Sequence, residues 1–398
     1  MRTLESALIE LLARVPVAPP TERIAPHKAL GRVLAQTVVS PLDVPGFDNA
    51  QMDGYAVCAG EVEPGRAMRV TQRIAAGYVG MPLESGTAAR IFTGAPVPPG
   101  ATAVVMQEDA ALTEDGTQVT FQVPPPEGQY LRKRGGDLQM GAEVLPLGTR
   151  LQAADLGLLA SVGIPEIEVH RRLKLAVFSS GDELVQPGRP LQPGQIYDSN
   201  RPMMMALAAS LGAEVTDLGV LPDQADATRA ALAQAGAAHD VVLTCGGVSV
   251  GEEDHIKAAV REIGALDLWQ VAIKPGKPFA FGRVGQAAFM GLPGNPVSAW
   301  VTFVLLVRPF LLRASGVQRV EPQSVAAQAA FSWTRPDRRQ EFLRGWLQAD
   351  GTVQMHPKQN SQLLTSVTQS ACLVSVPPQT PIQIGDSVEC LLFESLVH

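Results

Sequence analysis

From residue 173 the chain repeats one pattern: LKLAVFSS, HDVVLTC and AAFMGLP are short apolar runs, separated by helical patterns such as RPMMMALAASLGAE and EDHIKAAVREIG. Apolar strands that alternate with helices predict a parallel sheet with right-handed crossovers. Such sheets take ligands at the carboxyl ends of their strands. The search for function therefore starts at the loops after Ser180, Cys245 and Leu292.

Elsewhere the period differs. Pro41, Pro45, Pro82, Pro96, Pro98, Pro99 and the run 124–126 break residues 41–130 into short segments rich in β-formers, which predicts a β-rich module without helices. The opening MRTLESALIELLARV puts Leu4, Ala7, Leu8, Leu11, Leu12 and Val15 on one helical face, and Glu5 and Glu10 interrupt what a secretory leader would need. Beyond about residue 318 the strands return: EFLRGWLQADGTVQMHP reads as a hairpin turning at Asp350 and Gly351, and IQIGDSVECLLF as a closing strand of a small β domain.

A length of 398 residues favours two or three domains, and 46% hydrophobic against 18% charged residues excludes a disordered chain. The formal charge of -7 argues against a nucleic-acid partner. The longest apolar stretch, 297–307, falls short of the roughly twenty residues that cross a bilayer, so it reads as a buried helix and no membrane is expected. Cys58, Cys245, Cys372 and Cys390 lie far apart with no histidine at ligand spacing, which points to the reducing cytoplasm rather than to zinc or disulfides.

Four loops carry residues suited to anion chemistry. In HDVVLTCGGVSVGEED a strand ends in Gly246 and Gly247 ahead of a helix, where free backbone N–H groups favour a phosphate, although the glycines equally serve a tight turn. Asp254 in this loop is a candidate helix cap or ligand. In IKPGKPFAFG, Lys274 and Lys277 flank Pro275 and Gly276 on a stiff turn and suggest anion capture. FSSGDELVQPG places Asp182 and Glu183 at the same sheet edge, where carboxylates tolerate an anionic substrate through Mg²⁺, with capping by Asp182 as the plain alternative. GLPGNPVSAW offers Asn295 or Ser298 as cap or ligand contact. Asp48, Asp53 and Thr93 of the β-rich module are exposed turn residues that Asx-turns explain equally well.

Taken in order, FDNAQMDGYAV, IFTGAPVP, SSGDEL, IYDSN, CGGVSVGEED, KPGKPFAFG and GLPGNPVSA resemble the successive signatures of the MoeA/gephyrin E-domain family of molybdopterin molybdotransferases. The resemblance implies a multidomain α/β plus β fold in four parts. An extended helical scaffold and dimerisation domain would take 1–45 and 139–172, and an inserted β-rich module 46–138. A central three-layer α/β molybdopterin-binding domain with a parallel-rich sheet would take 173–318, and a C-terminal β barrel 319–398. It further implies a homodimer whose clefts are shared between subunits.

Carried over by motif, Asp53 and Thr93 line the cleft from the second subunit, and Asp137, also expected to be catalytic, matches the aspartate of the family's Arg-rich turn. Glu183, Asp223, Asp254, Lys274 and Lys277 are the cleft residues of the α/β domain, and Ser366 that of the barrel. Gly246, Gly247, Val248, Ser249, Pro275, Gly276, Pro293 and Asn295 would contact substrate, and Glu183 and Asp254 would bind Mg²⁺. Gln51, Thr102 and Gly136 depart from the family's usual residues, and Gly136 adjoins Asp137. The implied reaction inserts molybdate into adenylyl-molybdopterin and releases AMP. Its implied partners are the molybdopterin adenylyltransferase and apo-molybdoenzymes, in transient contact. Another nucleotide reaction on the α/β domain, as in competence-damage proteins, fits poorly with the N-terminal motifs, and a pure scaffold role fits poorly with a compact chain.

Overall fold

The computed structural model describes residues 1–221, 224–246 and 255–397. Its centre is a six-stranded sheet in the order Glu214–Leu221, Lys174–Ser180, Val241–Cys245, Ala287–Leu292, Pro278–Val284, Gly264–Gln270. The first four strands run parallel, Pro278–Val284 runs antiparallel to them, and Gly264–Gln270 pairs antiparallel with Pro278–Val284. Because side chains alternate along a strand, Leu175 and Val177 pack to one face with Met204, Leu207, Val304 and Phe310. Ala176 and Phe178 pack to the other with Leu232, Ile256 and Val260. The sheet is thus covered on both faces, as its near-continuous apolar strands require.

The apolar stretch at 297–307 is buried, but its helix is longer than the stretch itself. It runs over Pro296–Ala314, nineteen residues, long and apolar enough by composition to span a membrane, and 94% of its most apolar window is buried within the fold. Pro296 sits in its first turn. A π-turn at Phe303–Val307 precedes Pro309, which has no N–H to give to the preceding turn.

In the N-terminal half, Leu4–Leu12 is helical and buries Ala7 and Leu11, with Leu4, Leu8, Leu12 and Val15 packed against the same core. Thr21–Ile24 pairs with Ile167–His170, and Val38–Val39 with Glu143–Leu145, so segments on either side of the β-rich region share one small core around Leu34, Leu151 and Val169. Between them lies a mixed six-stranded sheet whose longest strand is Ala67–Ile74; the helical elements of 41–130 are single 3₁₀ turns.

At the other end, Gln340–Leu347, Thr352–Met355, Ser324–Ala329, Ser387–Leu392 and Cys372–Val376 pair in sequence, and the last returns to the first, closing a barrel. The predicted hairpin turns at Asp350 and Gly351, where Gly351 takes φ +83 and the Asp350 carboxylate accepts from the backbone N–H and hydroxyl of Thr352. Outside the barrel wall, Ile273–Lys274 runs parallel to Gln340 and Glu341. This short pairing fastens the α/β domain's lysine turn to the barrel.

Candidate active site

A cavity of about 820 Å³ opens where the carboxyl ends of Lys174–Ser180, Val241–Cys245 and Ala287–Leu292 face the barrel. Ser180, Glu183, Gly246, Lys274, Pro275, Gly276, Lys277, Pro293 and Asn295 line it from the α/β side. The loops after three parallel strands and the 274–277 turn, four segments in all, therefore converge where a parallel sheet places its ligands. Two glycines make the convergence sterically possible. A Cβ on Gly246, at φ +91, would stand 2.7 Å from the Ser180 carbonyl oxygen, and one on Gly276, at φ +114, 2.5 Å from Thr302 Oγ1.

The two lysines of the turn differ in surroundings. Lys274 Nζ lies 3.0 Å from Glu341 Oε1 and 3.4 Å from Asp337 Oδ2, so its charge is already met by protein carboxylates. Glu341 is 1% exposed, and its other oxygen accepts 2.8 Å bonds from Trp333 Nε1 and the Asp337 N–H. Hydrogen bonds from Arg339, above all, hold the Asp337 carboxyl below the ordinary carboxylate range. Lys277 has no ion pair among the described residues, which leaves its charge available to a ligand.

The barrel contributes a second uncompensated cation. Arg344 is 1% exposed, lines the cavity and has no carboxylate partner among the described residues; burial pushes its pKa down to about 10. Its Nε donates to Ser366 Oγ at 3.2 Å and its Nη1 to the Phe342 carbonyl at 3.1 Å, while Nη2 has no partner. Ser366, expected to contact substrate, does not line the cavity of the single chain and instead supports Arg344. It is fully buried, and its hydroxyl donates to the Leu363 carbonyl at 2.8 Å while receiving Arg344. From the same string, Ser361 lines the wall, and its carbonyl accepts from the Val297 N–H at the start of the long helix.

Glu183 is exposed at the cavity, and Asp182 caps no helix, because the chain continues into Leu184–Val185 paired with Ile196–Tyr197. Asn295 occupies the N-cap position of Pro296–Thr302 without a side-chain cap bond, and Ser298 is buried at the cavity wall. Asp53, Thr93 and Asp137 do not line the cavity of the single chain. Asp53 instead accepts from the Thr93 N–H at 2.8 Å and hydroxyl at 2.7 Å, bonds that lower its pKa. Asp48 pairs with Lys133 at 2.8 Å. Asp223, Gly247, Val248, Ser249 and Asp254 lie outside the described residues. Among the described residues no three histidines, cysteines, aspartates or glutamates form a metal-holding group. Among the described residues lining the cavity, Glu183 is the carboxylate without an ion pair, and it could join substrate oxygens on Mg²⁺.

Comparison with known proteins identifies the family of the whole chain. The sequence matches the MoeA N-terminal region (domains I and II) over residues 2–163, a region described as "Probable molybdopterin binding domain" over 176–313, and the MoeA C-terminal region (domain IV) over 326–393. It is 39% identical to the molybdopterin molybdenumtransferase of Haemophilus influenzae, with 100% of both chains covered. It is 34% identical to that of a Nostoc species, over 98% of this chain and 92% of the relative. Its fold superposes on the molybdopterin biosynthesis MoeA protein of Pyrococcus horikoshii OT3 with a TM-score of 0.84 at 28% identity, covering 98% of this chain and 100% of that one. With all three regions in order and relatives aligned from end to end, the chain belongs to the MoeA family of molybdopterin molybdenumtransferases.

Proposed function

We propose that the cavity performs the molybdenumtransferase reaction: adenylyl-molybdopterin and molybdate enter, water cleaves the phosphoanhydride and AMP leaves, and molybdenum stays on the dithiolene sulfurs as one molybdate oxygen departs with the two thiol protons as water. The observation that carries the reading is the pair of uncompensated cations, Lys277 and Arg344, facing one cavity from two domains. A dianionic oxyanion and a pyrophosphate both need fixed positive charge in a site that excludes bulk water, and preorganised cations supply it without reorganisation. Lys274, fixed by Glu341, orients the turn that carries Lys277. Gly246 leaves room for a phosphate at the end of its strand. Mg²⁺, held by Glu183 and substrate oxygens, would neutralise charge on the anhydride.

Asp53, Thr93 and Asp137 would complete the site from a second copy of the chain, since none reaches the cavity of its own chain. We place the protein in the cytoplasm on its four free thiols, three of them buried. Mixing purified protein with adenylyl-molybdopterin and Mg²⁺, with and without molybdate, tests the reaction: AMP release that depends on molybdate is expected, and tight pterin binding without release would sink the reading. Mixing inactive Lys277→Ala and Asp53→Ala proteins tests the sharing. About a quarter of wild-type activity should return if each dimer of mixed chains restores one site, and none if both residues act within one chain.

A further inference from the structure

Four arginines of this chain are buried, and they fall into two kinds. Arg32 pairs with Glu22, and Arg201 with Asp198 and Asp217. Arg344 and Arg308 have no carboxylate partner among the described residues, and each lines a large cavity. A buried charge without a partner costs several kcal/mol, so its retention calls for a compensating anion. For Arg344 that anion is the substrate described above. Arg308 faces a different cavity, of about 770 Å³, between the 30–31 and 150–153 loops, the end of the long helix and residues 394–395.

Arg308 is 6% exposed; its Nη1 donates to the Val320 carbonyl at 2.8 Å, and its Nε has no partner. Arg150 lines the same cavity, donates from Nη2 to the Ser210 carbonyl at 2.6 Å, and likewise leaves Nε without a partner. Burial, with Arg150 as the lesser cause, pushes Arg308 down to about 10, and Arg172 adds its repulsion to Arg150. Arg319 stands at the rim. Two exposed carboxylates also line the cavity, Glu321 and Glu394, and neither forms an ion pair with an arginine; Glu321 accepts from the Val320 N–H. Like charges thus converge on a roomy cavity while the nearby carboxylates stay apart from them.

We propose that the cavity lined by Arg150, Arg308 and Arg319 is a second anion site, separate from the active site, which binds a phosphate group, either free or as a small phosphomonoester. Guanidinium forks suit phosphate oxygens, and the volume admits more than the bare ion. The test follows the melting temperature of the full-length Lys277→Ala protein as inorganic phosphate or glycerol 3-phosphate is titrated, so that the active site contributes little. A saturable rise is expected. Arg308→Met should weaken the response about ten- to a hundredfold, the loss of one charge-assisted contact. Without phosphate this variant should melt no lower than its parent, because an unpaired buried charge has been removed. A response at lower concentration to glycerol 3-phosphate marks a phosphomonoester site, and one to inorganic phosphate alone marks a free-ion site. No saturable rise, as when carboxylates of a second copy already fill the cavity, or an undiminished rise in Arg308→Met, overturns the proposal.

Discussion

Glu341→Gln tests whether the barrel holds the lysine turn. In the wild-type chain Glu341 Oε2 takes two donors, Trp333 Nε1 and the Asp337 N–H, each at 2.8 Å, and Oε1 faces Lys274 Nζ at 3.0 Å. The amide oxygen of glutamine can keep the first two as neutral hydrogen bonds, but its NH₂ then points a donor at an ammonium. Hydrogen bonds to a charged group contribute about 1.5–3 kcal/mol against about 1 for neutral ones. Breaking a fully buried pair costs about 3–5 kcal/mol. Lys274 is not fully buried, with a side chain 43% exposed and Asp337 still 3.4 Å away, so solvent and the second carboxylate soften the loss. The expected cost is about 2–3 kcal/mol, within the range these contacts set. Guanidinium unfolding followed by tryptophan fluorescence measures it, with Trp333 as a local reporter. A double-mutant cycle with Lys274→Met isolates the pair. A coupling energy near zero would refute the claim that Glu341 fixes Lys274.

Gly276→Ala should lower stability by about 1–3 kcal/mol, since it forces a side chain into a φ of +114 and a Cβ against Thr302; circular dichroism melts would show no shift if the turn relaxes freely. Asp337 has a folded pKa below its ordinary value, so the stability it confers is present above the unfolded pKa of about 4 and is lost as pH falls through the folded one. Wild-type stability should therefore decline below about pH 4 more steeply than that of Asp337→Asn, and equal slopes would count against the Arg339 contact. Cys58 is partly exposed and Cys245, Cys372 and Cys390 are buried, so a thiol reagent should label Cys58 first in the native protein; mass spectrometry finding early labelling at Cys372 or Cys390 would contradict the closed barrel.

The alternating strands after residue 173 were legible because burial on both faces leaves long apolar runs, and the strand ends then named the loops that meet at the cavity. Glu183 and Gly246 reached the site for that reason, and Lys274 and Lys277 because two cations flank a stiff Pro-Gly turn. The barrel's contribution was not legible. Glu341 and Arg344 sit in EFLR, where charged residues in a strand read as solvent-facing, yet both are buried and turned to the cavity. Glu341 is placed by the two-residue pairing of Ile273–Lys274 with Gln340 and Glu341, and Arg344 by the barrel pairing with Leu373, contacts between distant segments that no local period announces. Ser361 and Ser366 likewise stand five apart in one string, and only packing shows that the first lines the cavity of the single chain and the second lies behind Arg344.

The central claim is that Lys277 and Arg344 jointly hold the oxyanion. Crystals grown with molybdate and measured at the molybdenum absorption edge test it most directly. The account predicts an anomalous peak in the 820 Å³ cavity within hydrogen-bonding reach of Lys277 and Arg344, lost in Lys277→Ala. A peak confined to another part of an active protein, or one that survives in Lys277→Ala unchanged, would contradict it.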